Sequence, residues 1–127
     1  MEDEIKFKQF IIIPNKIPKE HWYSRGKMSI GKAVSQGAHA SFMALENQID
    51  KHLINDWKNS GQCVIVLKAK DGNHLMSIAK YFEQWEIVHH LYIDEGYTEV
   101  MMGTPTALAT GVLTADQFWM ISKLKLK

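Results

Sequence analysis

Residues Gly31 to Ile49 read Gly-Lys-Ala-Val-Ser-Gln-Gly-Ala-His-Ala-Ser-Phe-Met-Ala-Leu-Glu-Asn-Gln-Ile, and three interleaved periodicities run through them. Val34, Ala38, Phe42, Leu45 and Ile49 recur at the spacing of one apolar stripe of an α-helix. Ala33, Gly37, Ala40 and Ala44 form a neighbouring stripe of very small residues, which lets the helix backbone sit close to whatever it packs on. Lys32, Gln36, His39 and Met43 fall within a narrow arc roughly opposite the large apolar stripe. One helix face therefore carries an ammonium, an amide and an imidazole in a row. A shorter helical piece, Lys51 to Asn59, follows.

Upstream, Phe7 to Ile13 is short, apolar and β-branched, and Pro14 and Asn15 stop it, as expected of a buried strand. Lys16 to Ile30 has no clean period and carries Pro18, Ser24 and Gly26, a long basic loop. Downstream, Ser60-Gly61 is a break, and Cys63 to Leu67 is continuously β-rich, the pattern of a strand covered on both faces. Asp71-Gly72-Asn73 opens a second amphipathic helix with Leu75, Ile78, Ala79 and Phe82 on one face. Ile87 to Ile93 is a third strand ended by Asp94-Glu95-Gly96. Val100 to Met102 is a short extended stretch, Thr106 to Thr110 a fourth strand, and Ala115 to Lys123 a final helix.

This alternation is an α/β pattern, and crossover connections predict a small, mostly parallel sheet with helices on both faces. Ligands of such sheets bind beyond the carboxyl ends of strands. The basic loop, the start of the first long helix and Asp94 all fall at that rim.

A length of 127 residues suits one domain spanning 1–127. The hydrophobic fraction of 46% and charged fraction of 23% are those of an ordinary globular chain, which excludes disordered, collagenous and coiled-coil classes. No apolar run approaches the ~18 residues of a membrane helix, and the acidic Met1-Glu2-Asp3-Glu4 start precedes no signal-peptide core. The single Cys63 cannot form an internal disulfide, so a cytoplasmic location is expected, with no membrane association. Net charge is +1, but Lys16 to Lys32 holds five cations against Glu20, while Glu83 to Glu99 holds five acids and no cation. The basic segment can attract phosphates locally.

Nucleotide phosphate loops are absent, the six histidines lack metal-ligand spacing, and Cys63 falls in an expected buried strand. Neither a metal nor a cysteine nucleophile is expected. Lys32 near a helix N-terminus is unusual, because the dipole there favours anions, and lysine and dipole together suit a phosphate or a developing oxyanion. Asp94-Glu95-Gly96-Tyr97-Thr98-Glu99 brings a carboxylate to the same rim, with hydroxyls from Thr98, Thr104 and Thr106 nearby. Carboxylate, hydroxyls and lysine suffice to orient a water and stabilise an ester-hydrolysis transition state.

Taken together, Gly31-Lys32 through Gln36 to His39-Ala40, Gly61-Gln62 leading into Val64-Ile65-Val66-Leu67-Lys68, Asp94-Glu95-Gly96-Tyr97-Thr98, Gly103-Thr104-Pro105-Thr106-Ala107-Leu108-Ala109 and the closing Leu124-Lys125-Leu126 resemble the type-2 peptidyl-tRNA hydrolases. The resemblance runs in order over essentially the whole chain. It implies a three-layer α/β/α sandwich around a mixed four-stranded sheet, often dimeric. It also implies a cofactor-free esterase that frees tRNA from a stalled peptide. Catalytic positions map by resemblance onto Lys32, Asp94 and Thr98, with Gln36, His39 and Thr106 as neighbouring substrate contacts. Asp94 then orients or deprotonates water, Lys32 stabilises the oxyanion or a phosphate, Thr98 and Thr106 donate to the ester, and Gln36 holds the lysine and threonine network. Arg25 and Lys27 of the basic loop would meet the tRNA backbone. Four positions depart from the family pattern: Glu95 for Ala, Glu99 for Gln, Ser35 for Ala and Val64 for Lys. The two acids add negative charge beside Asp94 and would repel a phosphate, which motivates the alternative of a non-catalytic RNA- or protein-binding member of the same fold.

Overall fold

A computed structural model describes residues 4–16, 28–94 and 103–127. Its elements run β1 (Phe7–Lys16), α1 (Ile30–Asn47), α2 (Lys51–Asn59), β2 (Val64–Asp71), α3 (Gly72–Gln84), β3 (His89–Ile93), β4 (Pro105–Thr114), a 3-10 turn (Ala115–Gln117) and α4 (Phe118–Ser122). The segment Val100 to Met102 lies outside the described residues.

Each of the first three helices starts where a side chain can satisfy an orphan N–H. Ser29 accepts from the N–H of Lys32, Asp50 from that of His52, and Asp71 from that of His74. At the other end of α1, Lys51 Nζ donates to the carbonyls of Leu45 and Glu46. The final helix expected over Ala115 to Lys123 is split, beginning as a 3-10 turn and becoming α only at Phe118.

The four strands lie in the order β2-β1-β4-β3. Only β1 and β2 are parallel; β4 runs antiparallel to both β1 and β3. The mixed sheet of the family pattern is present, and the mostly parallel sheet expected from the element order is not. The reason is local. Only about 11 residues lie between the end of β3 and the start of β4, fewer than the dozen or more that a parallel crossover needs. Hydrogen bonds from Asp94 N to Thr104 O and from Gly103 N to Asp94 O, both 2.9 Å, close that return.

Strand β2 is an edge strand rather than one covered on both faces. Val64 and Val66 are exposed on one face, as are Lys68 and Lys70 further along, and Cys63 just before it is partly exposed. Edge lysines discourage pairing with other chains. Strand β1, by contrast, runs through Pro14 to Lys16 because β2 pairs with it as far as Asp71.

One face of the sheet holds the larger core. Phe10, Ile12, Leu108 and Leu113 meet Leu75, Ile78 and Phe82 of α3 and Ile121 of α4. The other face is covered by α1 through its small residues. Ala40 and Ala44 are fully buried against Ala107 and Ala109 of β4, with Ile11, Ile13 and Tyr92 around them. A Cβ added at Gly37 would lie 3.3 Å from Ile11 Cγ2 and 3.7 Å from Ile13 Cδ1. The large apolar stripe points elsewhere: Val34 is 66% exposed, Phe42 60% and Ile49 93%.

Three buried glutamines line the α1 side, and each serves β4. Both register shifts in the sheet put the extra residue on this strand, one near Thr106 and one near Thr110. Gln9 Nε2 donates to Thr110 O at 2.9 Å, and Thr110 Oγ1 accepts from Phe10 N at 3.0 Å. The Gln48 amide bonds both backbone groups of Val112, donating to its carbonyl and accepting from its N–H. The side chain thus imitates a neighbouring strand where the ladder is interrupted. A Cβ on Gly111 would come within 2.7 Å of Gln48 Oε1, so a side chain there would push the Gln48 amide off Val112.

Two outcomes follow for stability. Gly37→Leu should lower the free energy of unfolding by about 1–3 kcal/mol through overpacking, whereas Phe42→Ser should change it by less than about 0.5 kcal/mol; urea denaturation measures both, and a large loss in Phe42→Ser would contradict the orientation of α1. Burial, followed by the neighbouring His89, holds His90 below its ordinary value of 6.5. As pH falls through 6.5 the unfolded chain protonates this residue first. Stability should therefore decline below that pH, and His90→Gln should flatten part of the decline in melts recorded between pH 7 and 5.

Candidate active site

Close packing of α1 brings its first turn to the carboxyl ends of β1 and β3. Lys32 occupies the third position of the helix, three residues past its Ser29 cap, and the Lys32 N–H donates to Ser29 Oγ at 3.1 Å. Asp94 follows β3 directly, its backbone fixed on both sides by the bonds to Thr104 and Gly103. The two side chains meet, with Lys32 Nζ donating to Asp94 Oδ1 at 2.7 Å. Their side chains are 8% and 5% exposed.

Isolated charges do not survive such burial, and a pair does so only with good geometry and further partners. Both residues make interactions in addition to this bond. Lys32 also sits in the positive field of the α1 N-terminus, beside N–H groups that favour negative charge. The arrangement is a carboxylate anchored by an ammonium, next to a site suited to an anion. Buried, paired charges at a strand-end rim stand where ligands of such sheets bind and where fixed charge can stabilise a reaction.

Beneath the pair, Thr106 Oγ1 donates to Gln36 Oε1 in a short hydrogen bond. Gln36 is 3% exposed, and Thr106 and Thr104 are 0% and 1% exposed. Substrate contact is the sequence expectation for Gln36 and Thr106. Both side chains are buried and bonded to each other, in keeping with the further reading that Gln36 holds the threonine network. The extra residue of β4 near Thr106 is what turns this hydroxyl toward α1.

His39 lies two turns along α1 from Lys32 and is exposed. Its imidazole stacks on the Tyr92 ring, centroids 4.8 Å apart and planes 14° from parallel. Tyr92 precedes Asp94 by two residues and so shares its face of the strand. The sequence reading missed Tyr92; the signal available was this two-residue spacing. Thr98, Arg25 and Lys27 lie outside the described residues, as do Glu95 and Glu99. Lys32, Gln36, His39, Asp94 and Thr106 are gathered along one seam between α1 and the β3–β4 edge.

Among the described residues no group of three or more His, Cys, Asp or Glu side chains is placed to hold a metal ion. Nor is any described helix long and apolar enough to cross a membrane.

Residues 7–126 match the family model described as peptidyl-tRNA hydrolase PTH2. The chain is 34% identical over 86 residues to the peptidyl-tRNA hydrolase of Thermoplasma acidophilum, covering 66% of this chain and 74% of the relative. It is 38% identical over 85 residues to that of Haloquadratum walsbyi, covering 67% and 75%. To the peptidyl-tRNA hydrolase of Methanococcus maripaludis it is 30% identical over 119 residues, covering 92% and 95%.

The buried pair dictates its own test of stability. Lys32→Met or Asp94→Leu alone strands a charge and should cost about 3–5 kcal/mol. The double variant should cost clearly less than the sum of the two. A double-mutant cycle in guanidinium measures this, and strict additivity would mean that the ion pair is not formed in solution.

Proposed function

The chain belongs to the peptidyl-tRNA hydrolase PTH2 family, and we propose that the Lys32–Asp94 pair is the centre at which it cleaves the ester of peptidyl-tRNA. The protein is a hydrolase: it splits the bond between the peptide carboxyl and the 3′ ribose, releasing peptide and free tRNA for recycling. The observation that carries this assignment of the centre is the nearly buried ion pair at 2.7 Å, held at the rim beside the N-terminus of α1.

The chemistry follows from charge and position. Water is a poor nucleophile toward an ester, and a fixed carboxylate improves it by orienting it and accepting its proton. Asp94 takes that role. As the water oxygen bonds to the carbonyl carbon, negative charge moves onto the carbonyl oxygen. Lys32 and the N–H groups of the first α1 turn answer that charge, and they need no reorganisation because they are already held. Collapse of the tetrahedral species expels the ribose 3′ oxygen, and the proton taken by Asp94 can return to it. Gln36 and Thr106 keep the first turns of α1 seated on β4, and so act as positioning residues. Thr98 donates a hydrogen bond to the ester in this proposal, on the strength of the motif it shares with the family.

The tRNA itself is recognised mainly through its phosphates, with Arg25 and Lys27 among the contacts, which carries little sequence information. A cytoplasmic location follows from that substrate. A homodimer belongs to the same proposal, supported by the exposed Val34 and Phe42 on α1.

Release of N-acetyl-amino acid from charged tRNA tests the assignment. Asp94→Asn and Lys32→Ala should each lower turnover by about 10²–10⁴-fold, and deacylated tRNA should compete. Wild-type rates in both variants would remove the pair from the chemistry. A folded wild-type protein without turnover would favour a binding role on this scaffold.

A further inference from the structure

We propose that His39 and Tyr92 form a stacking platform for the base of the 3′-terminal adenosine of the substrate, so that the enzyme reads the nucleoside as well as the ester. The inference rests on the proposed centre at Lys32 and Asp94.

The placement carries it. Tyr92 lies two residues before Asp94, ~7 Å along the strand at the usual rise per residue. His39 lies seven residues after Lys32, ~10 Å along the helix axis. The ring pair therefore continues the seam defined by the charged pair, on the same two elements. The ester sits on the ribose that also carries the terminal base. A base one sugar away from the carbonyl falls where this seam continues past the charged pair.

The platform is also built to be rigid. Tyr92 packs against the Ala40, Ala44, Ala107 and Ala109 cluster, so its ring is held by the closest-packed part of the α1 interface. His39 lies parallel on that ring, 4.8 Å away, and is itself exposed. A planar, solvent-facing ring backed by a second ring is the arrangement on which unpaired RNA bases stack. An added purine extends the column to three rings. Stacking tolerates any base, but the substrate always presents adenine here, so the platform supplies affinity and registers the ribose against Asp94. This also accounts for an exposed histidine on a helix face where solvation alone would favour a charged or smaller residue.

The test uses 3′-deoxy-3′-(N-acetylphenylalanylamido)adenosine, which carries an amide in place of the ester, and the same compound lacking the base. Binding is measured by calorimetry to wild type, His39→Ala, His39→Phe and Tyr92→Leu. Removing the base should weaken wild-type binding by roughly 5- to 150-fold. His39→Ala should weaken binding of the intact compound by a similar factor and make the base almost irrelevant. His39→Phe should restore most of the loss, and Tyr92→Leu should fall between. Equal affinity of wild type for the two compounds would overturn the platform, as would a base effect of the same size in His39→Ala, or no binding by wild type. Turnover of N-acetyl-aminoacyl-tRNA by wild type is recorded alongside. An active enzyme indifferent to the base loses the platform alone, and an inactive enzyme loses the proposed centre.

Discussion

The closeness of α1 to the sheet governs this molecule. Gly37, Ala40 and Ala44 allow the helix backbone to approach β1 and β4 with almost nothing between them. That approach sets where the first turn of α1 ends up, and thereby whether Lys32 can span to a carboxylate 62 residues away. It also clamps Tyr92 and brings His39 down onto it. A helix seated through leucines would stand further off, and both pairs along the seam would open. The pairing of small side chains with buried glutamines is part of the same design. Alanine and glycine offer no bulk to specify register, while Gln9, Gln36 and Gln48 bond particular groups of α1 and β4 and do specify it.

Much of this was legible in the residues, because the strongest signals are local. Hydrophobic period located α1 and α3, with the Asp71-Gly72-Asn73 start marking the latter, and the meeting of Lys32 and Asp94 at one rim followed from strand ends. What was not legible has definite physical causes. Strand direction depends on how distant segments pair, and nothing in β4 alone distinguishes a parallel from an antiparallel neighbour. The apolar run of β2 looked doubly covered, but cover comes from helices, and α1 is drawn over β4 by its small stripe. The large stripe of α1 misled for the same reason. Hydrophobic periodicity reports which residues favour burial, whereas close approach selects those that permit it.

The candidate site shows the same division. Lys32 and Asp94 were identifiable from residue type and position. Gln36 was identifiable as the holder of a threonine network, but the burial of Thr106 was not, since a bulge in β4 decides which way Thr106 faces. Tyr92 carried only a weak signal, its two-residue spacing from Asp94, because a tyrosine in a strand is ordinary until its partner across the seam is known.

The sheet order has a consequence for how this protein comes into being. Strand β4 lies between β1 and β3 yet is the last of the four along the chain. During synthesis β1, α1 and β3 emerge before the strand that joins them exists. Contacts such as Gln9 with Thr110 span about a hundred residues and form only once β4 has left the ribosome. The earlier segments must wait with their apolar faces uncovered, the interval in which chaperone contact or misassociation occurs. An enzyme that acts on peptidyl-tRNA is thus itself assembled only by translation that has run past its central strand.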